Sequence, residues 1–188
     1  MNEKGQELKG QEEIENAAYL SSQGELGKLS EGLAMYCVKN KCGFIDKTGK
    51  EIIKRQYQKT AFNYNFRLGR NIVGKEDKML LIDSSGNELT PLYDEILRLN
   101  EPLMRVAKNG KYGMINQDGK LVIPIIYDEI EYDMGWYNRA STYPRFSFYA
   151  SDFVPPMFNG ARFFDGDIAL VKLNGEKIYI NTQGQRVK

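Results

Sequence analysis

The sequence predicts an all-β protein of tandem three-stranded antiparallel meanders, arranged as a solenoid- or barrel-like array. Three observations carry this. A short tract of two apolar residues, Asp or Asn, two further residues and Gly recurs along the chain. A tight-turn signal precedes it, and an aromatic marker, often beside proline, follows it. Self-similarity at a fixed period is the mark of a repeat architecture, in which each unit buries its apolar face against the next.

The tract occurs as Phe44-Ile45-Asp46-Lys47-Thr48-Gly49, Leu81-Ile82-Asp83-Ser84-Ser85-Gly86, Met114-Ile115-Asn116-Gln117-Asp118-Gly119 and Tyr179-Ile180-Asn181-Thr182-Gln183-Gly184, with the glycines 37, 33 and 65 residues apart. Asp or Asn at the first turn position hydrogen-bonds the backbone two residues on, and Gly at the last tolerates positive φ. The apolar flanks read as strands, so each tract is a tight hairpin. A second hairpin precedes it. Leu33-Ala34-Met35-Tyr36 leads through Asn40-Lys41 to Cys42-Gly43-Phe44. Leu103-Met104-Arg105-Val106 leads through Asn109-Gly110-Lys111 to Tyr112-Gly113-Met114, and Ile168-Ala169-Leu170-Val171 through Asn174-Gly175-Glu176 to Lys177-Ile178-Tyr179. Asn-Gly between apolar runs is the strongest short-range hairpin signal.

The closing markers are Tyr57, Pro91-Leu92-Tyr93-Asp94-Glu95 and Pro124-Ile125-Ile126-Tyr127-Asp128-Glu129. Proline ends a strand because it cannot donate to the ladder. The long glycine gap contains Pro155-Pro156-Met157-Phe158, so Tyr57, Tyr93, Tyr127 and Phe158 follow one another at 36, 34 and 31 residues. This predicts repeats at about 29–61, 62–98, 99–130 and 163–188, with a degenerate repeat at 131–162 that has lost its turn. Residues 1–28 form a lead-in, read either as a short helix over Glu12–Ser22 or as a disordered stretch.

The run Gly-Phe-Ile-Asp-Lys-Thr-Gly-Lys at 43–50, with Ile-Pro and Tyr-Asp-Glu following in the array, resembles the WG (KWG) β-repeat family of bacterial proteins. The resemblance covers about residues 29–188. The Trp of the naming pair is replaced throughout, by Cys42-Gly43, Met79-Leu80, Tyr112-Gly113 and Lys177-Ile178. The resemblance implies an array of β units used for binding, and implies no reaction.

Composition narrows the function. Hydrophobic residues at 41% support a real core, and a formal net charge of +1 disfavours a nucleic-acid binder. Residues 1–31 carry −4 and the remainder +5, too weak a contrast to name a partner. No apolar run is long enough to span a membrane, and the first twenty residues lack a signal-like stretch. The expected location is cytoplasmic as written, or periplasmic or surface-bound where a leader has been removed. Cys37 and Cys42 flank a hairpin turn. Strand-paired cysteines bridge poorly without strain, so free thiols are expected.

No enzyme, cofactor or metal is expected. Histidine is absent, which removes the commonest general base and zinc ligand. Gly69–Glu76 has phosphate-loop spacing, but ends in Glu76 where Ser or Thr should hold magnesium. The Tyr-Asp-Glu pairs recur at unit boundaries, where Tyr packs between units and Asp caps a turn. Asp165-Gly166-Asp167 lacks the further oxygens calcium requires.

Residues 131–162 hold nine of the 22 aromatics, including the single tryptophan. These rings fit two settings, the core of a broken repeat or an exposed contact patch. Met134-Gly135-Trp136-Tyr137-Asn138-Arg139 reads as an exposed loop. The candidate partner-binding residues are therefore Trp136, Tyr137, Arg139, Tyr143 and Arg145. The expected partner is another protein, for instance a toxin blocked by an inhibitor or immunity protein, with carbohydrate as the alternative.

Overall fold

The computed structural model describes residues 14–60, 65–98, 102–131 and 168–187. They form antiparallel sheets of two to four strands after one short helix, α1 (Ala17–Gln23), with no closed barrel among the described residues. The first unit is β1 (Glu25–Leu26), β2 (Ala34–Val38), β3 (Lys41–Ile45) and β4 (Glu51–Tyr57), paired in that order. The second has β5 (Arg70–Lys75) and β6 (Lys78–Asp83), extended by bridges Gln58↔Gly74 and Met79↔Tyr93. The third runs β7 (Glu95–Arg98), β8 (Met104–Lys108), β9 (Lys111–Ile115) and β10 (Leu121–Tyr127). The last contains β11 (Glu129–Ile130), β12 (Ile168–Leu173), β13 (Glu176–Asn181) and β14 (Arg186–Val187). The hairpins expected at 29–61, 62–98, 99–130 and 163–188 are present, the second as a two-stranded sheet extended by bridges. The first, third and last gain a short leading strand that the sequence pattern did not reveal.

The four tracts fold alike. Asp46, Asp83, Asn116 and Asn181 each accept two backbone N–H bonds on Oδ1, from the residues two and four positions on, at 2.9–3.1 Å. The closing glycines Gly49, Gly86, Gly119 and Gly184 hold φ between 77° and 86°, a region costly for other residues. The preceding hairpin turns also run left-handed, at Lys39–Asn40, Glu76–Asp77, Asn109–Gly110 and Asn174–Gly175, as type I′ turns require.

The core lies between units. Side chains alternate across a strand, so neighbours enter different clusters. Val73, Leu80 and Ile82 pack with Phe44, Ile53 and Tyr57 of the first unit. Ile72 and Leu81, from the same two strands, pack with Ile96, Val106 and Ile115 of the third. The second sheet is thus buried on both faces, which explains its continuous apolar runs. Met114, Ile123 and Tyr127 meet Ala169, Val171, Ile178 and Ile180 of the last unit. At the other end Ile14 and Leu20 pack on Ala34, Tyr36 and Ile45, so α1 covers the first sheet.

Each turn glycine rests on the element before it. A Cβ at Gly86 would lie 3.1 Å from Ile53, and one at Gly184 would lie 3.4 Å from Ile123. At Gly119 it would meet Leu89 O at 2.6 Å, and at Gly49 it would meet Leu20 of the helix at 3.4 Å. Tyr57 Oη donates to Gly86 O, and Tyr127 Oη donates to Gly184 O, both at 3.4 Å. The last unit therefore seats directly on the third. Of the residues assigned to a degenerate repeat, only Glu131 is described.

The expectation of free thiols is overturned: Cys37 and Cys42 form a disulfide, with Cα atoms 4.0 Å apart. The reason is local. Val38↔Lys41 closes the two-residue turn, so Cys37↔Cys42 is the next pair. Ladder alternation makes it non-hydrogen-bonded, where opposed Cα atoms come closest.

Gly43 and Gly113 have a different role. β4 and β10 cross so closely that a Cβ would lie 2.3 Å from Ile53 O and 2.6 Å from Ile123 O, respectively. Gly113→Ala is expected to destabilise the protein by about 1–3 kcal/mol, the usual cost of overpacking. Asn116→Ala should cost about 1 kcal/mol through its lost acceptor. Denaturant titration checks both, and a Gly113→Ala variant as stable as the parent would refute the close crossing.

Candidate functional site

The described residues give the site two parts, the joints between units and the base of the aromatic segment. At the joints, Asp94 accepts from Asn109 N–H at 2.6 Å and pairs with Lys78. Asp128 accepts from Gly175 N–H at 3.0 Å and pairs with Lys111 at 2.5 Å. Each carboxylate ties the hairpin behind it to the turn ahead, as expected for Asp in Tyr-Asp-Glu. Gln58 does the same at the first joint without charge, accepting from Asp77 N–H at 3.1 Å. Tyr93 and Tyr127 are buried there, and burial raises both phenols above their ordinary value.

Glu95 turns away from its neighbour Asp94. It takes Arg105 at 2.7 Å, while Arg105 also donates to Ile130 O and stacks over Tyr112 at 5.0 Å. The two carboxylates thus serve different joints and form no acid–base pair across a cleft. Gly69–Glu76 lies at the start and along the length of β5, with a strand following and no helix. No group of three metal-ligating side chains occurs among the described residues.

The base of the aromatic segment is the last sheet. β11 and β12 pair through Glu129↔Lys172 and Ile130↔Val171, and Glu131 N–H donates to Leu170 O. Residues 131 and 168 therefore begin and end one long connection from adjacent strands. The equivalent connection in the third unit, between Arg98 and Met104, is residues 99–103. Beside the exit, Glu131 pairs with Lys177 at 2.7 Å, and that hydrogen bond raises the Lys177 ammonium above its ordinary value. Tyr179 is Leu170's partner on the next strand and is 55% exposed, while Ile168 is 40% exposed. The predicted residues Trp136, Tyr137, Arg139, Tyr143 and Arg145 lie outside the described residues, as does Asp165-Gly166-Asp167. Sequence reasoning missed Glu131, Lys177 and Arg105. Their roles arise from pairing across strands distant in sequence, which leaves no local signal.

A stack of antiparallel units joined by recurring turns, with one long aromatic-rich connection, defines a tandem-repeat β protein. Residues 43–66, 81–112, 112–133 and 153–176 each match the WG containing repeat, and the protein belongs to that family. The fourth match takes in the Pro155-Pro156-Met157-Phe158 marker and runs into the hairpin of the last unit. No curated protein matches the chain.

The joints make stability depend on acid. Hydrogen bonds from Lys78 and then Asn109 hold Asp94 below its ordinary value of 3.8, and Lys111 then Gly175 do so for Asp128. The Thr48 hydroxyl lowers Asp46; at Asp83 burial pushes upward, but bonds from Asn87 and Ser85 bring the carboxyl down. A depressed folded-state pKa stabilises the fold fully above the unfolded value and is lost as pH falls through the folded one. Stability should therefore fall from just above pH 3.8 downward. A double Asp94→Asn, Asp128→Asn variant should show a shallower acid limb in pH-resolved melting, and an unchanged slope would refute the assignment.

Proposed function

We propose that the chain is a non-catalytic protein-binding repeat array, and that its partner meets the aromatic connection through Trp136, Tyr137, Arg139, Tyr143 and Arg145. One observation carries this: nine aromatics fall in residues 131–162, on a connection whose described ends leave and rejoin the last sheet side by side. An insertion held at two adjacent points leaves the array behind it free to act as a scaffold, and loops on rigid scaffolds are where binding residues concentrate. Trp, Tyr and Arg are the residue types that dominate interface energetics. Ile168, Leu170 and Tyr179 form a partly open apolar row on the sheet that this connection leaves.

A bacterial inhibitor or immunity protein that blocks a toxin is the concrete version of this reading. The Cys37–Cys42 bridge supports a periplasmic or surface location over the cytoplasm, since disulfides persist in oxidising compartments.

The test is a pull-down from the native neighbourhood with the parent chain and a Trp136→Ala, Tyr137→Ala variant, alongside a glycan array. The variant should lose the partner by at least about tenfold while its melting temperature stays nearly unchanged. A large fall in melting temperature with binding intact would assign the rings to a core. A glycan hit with no captured protein would move the function to carbohydrate binding.

A further inference from the structure

We propose that Cys37–Cys42 is a thiol–disulfide exchange site, with Cys37 as the sulfur attacked by a small anionic thiol. Both cysteines are buried, Cys37 at 5% and Cys42 at 1% exposure, but their surroundings differ. Cys37 lines a surface pocket together with Glu25, Gly27, Met35, Lys59 and Asn65. Cys42 does not line it, and its partner on β4 is Tyr57, which is fully buried. Cys37 instead has Glu25 as its outer partner, on a strand of two residues. The pocket thus opens on the thinly covered side of the bridge.

A hairpin of this kind does not require a bridge. The same cross-strand position is Gly74↔Met79, Ala107↔Tyr112 and Lys172↔Lys177 in the other units, and those hairpins form without sulfur. A bridge across so short a loop also constrains the unfolded chain less than a long one. The Lys59 ammonium lies on the pocket wall and offers a counter-charge to an arriving thiolate. Glu25 pairs with it and offsets part of that charge.

The reaction balances as two displacements. A thiolate attacks Cys37 Sγ, the Cys37–Cys42 bond breaks, and its electron pair leaves on Cys42 Sγ, which takes a proton from solvent. A second thiolate then attacks the bound thiol's sulfur and releases Cys37 as a thiolate. Two small thiols are oxidised to one disulfide as the cystine is reduced. Both cysteines belong to the cluster that also holds Phe44, Tyr57, Val73 and Leu80, so exchange acts on the joint between the first two units.

Reduced glutathione is added to the native full-length chain, quenched early with acid, and the adduct located by tryptic mapping. Lysines 39 and 41 separate the sites, leaving Cys37 in peptide 29–39 and Cys42 in peptide 42–47. The adduct should favour 29–39 by at least about tenfold. In denaturant the bias should disappear. Lys59→Met should slow the first step and Glu25→Gln should accelerate it. An adduct on 42–47, an even split, no adduct on the native chain, or the same bias in denaturant would overturn the proposal. Unchanged rates in both variants would overturn the part given to the pocket charges.

Discussion

The structure depends on one recurring arrangement, a side-chain oxygen folded back over its own turn to accept two backbone N–H groups. At Asp46, Asp83, Asn116 and Asn181 this holds the chain tight enough for a glycine at positive φ to protrude from the turn. That glycine is what touches the neighbouring element. A Cβ in its place would press on Leu89 at Gly119 and on Ile53 at Gly86, and would touch Ile123 at Gly184. Local hydrogen bonding and long-range packing are therefore one constraint, which is why the tract recurs so faithfully while its flanks vary between Phe-Ile, Leu-Ile, Met-Ile and Tyr-Ile.

Around that constraint the array is organised by joints rather than by sheets. Three clusters of buried side chains join two consecutive units, and the fourth, Ala34, Tyr36 and Ile45 of the first sheet, is covered by Ile14 and by Leu20 of α1. The tyrosines at 57, 93 and 127 sit in these clusters, and Asp94 and Asp128 fasten their edges. Their chemistry is consumed by architecture.

The features legible in the sequence are those written within a few residues of themselves. Asp46-x-x-Gly49 and Asn109-Gly110 announce their turns because one side chain or one φ value decides them. β1 and β11 were not legible: each has two residues, too few for a pattern, and each is defined only by the strand it pairs with. The disulfide was missed for a related reason. Its closeness follows from which pair of the ladder the cysteines occupy, and only the observed register settles that. The seating of Gly184 on Ile123 was equally hidden, because the spacing of markers counts units and says nothing of which units touch. Of the site, only its footing in Glu131, Lys177 and Tyr179 is described, and none of these stood out in the sequence.

The helix α1 gives the stack a direction. Leu20 stands beneath Gly49 as Ile53 stands beneath Gly86 and Ile123 beneath Gly184. Every turn therefore finds its floor in residues already made when it leaves the ribosome. A chain built this way can complete its layers in the order of synthesis, with each finished layer serving as the template on which the next one settles.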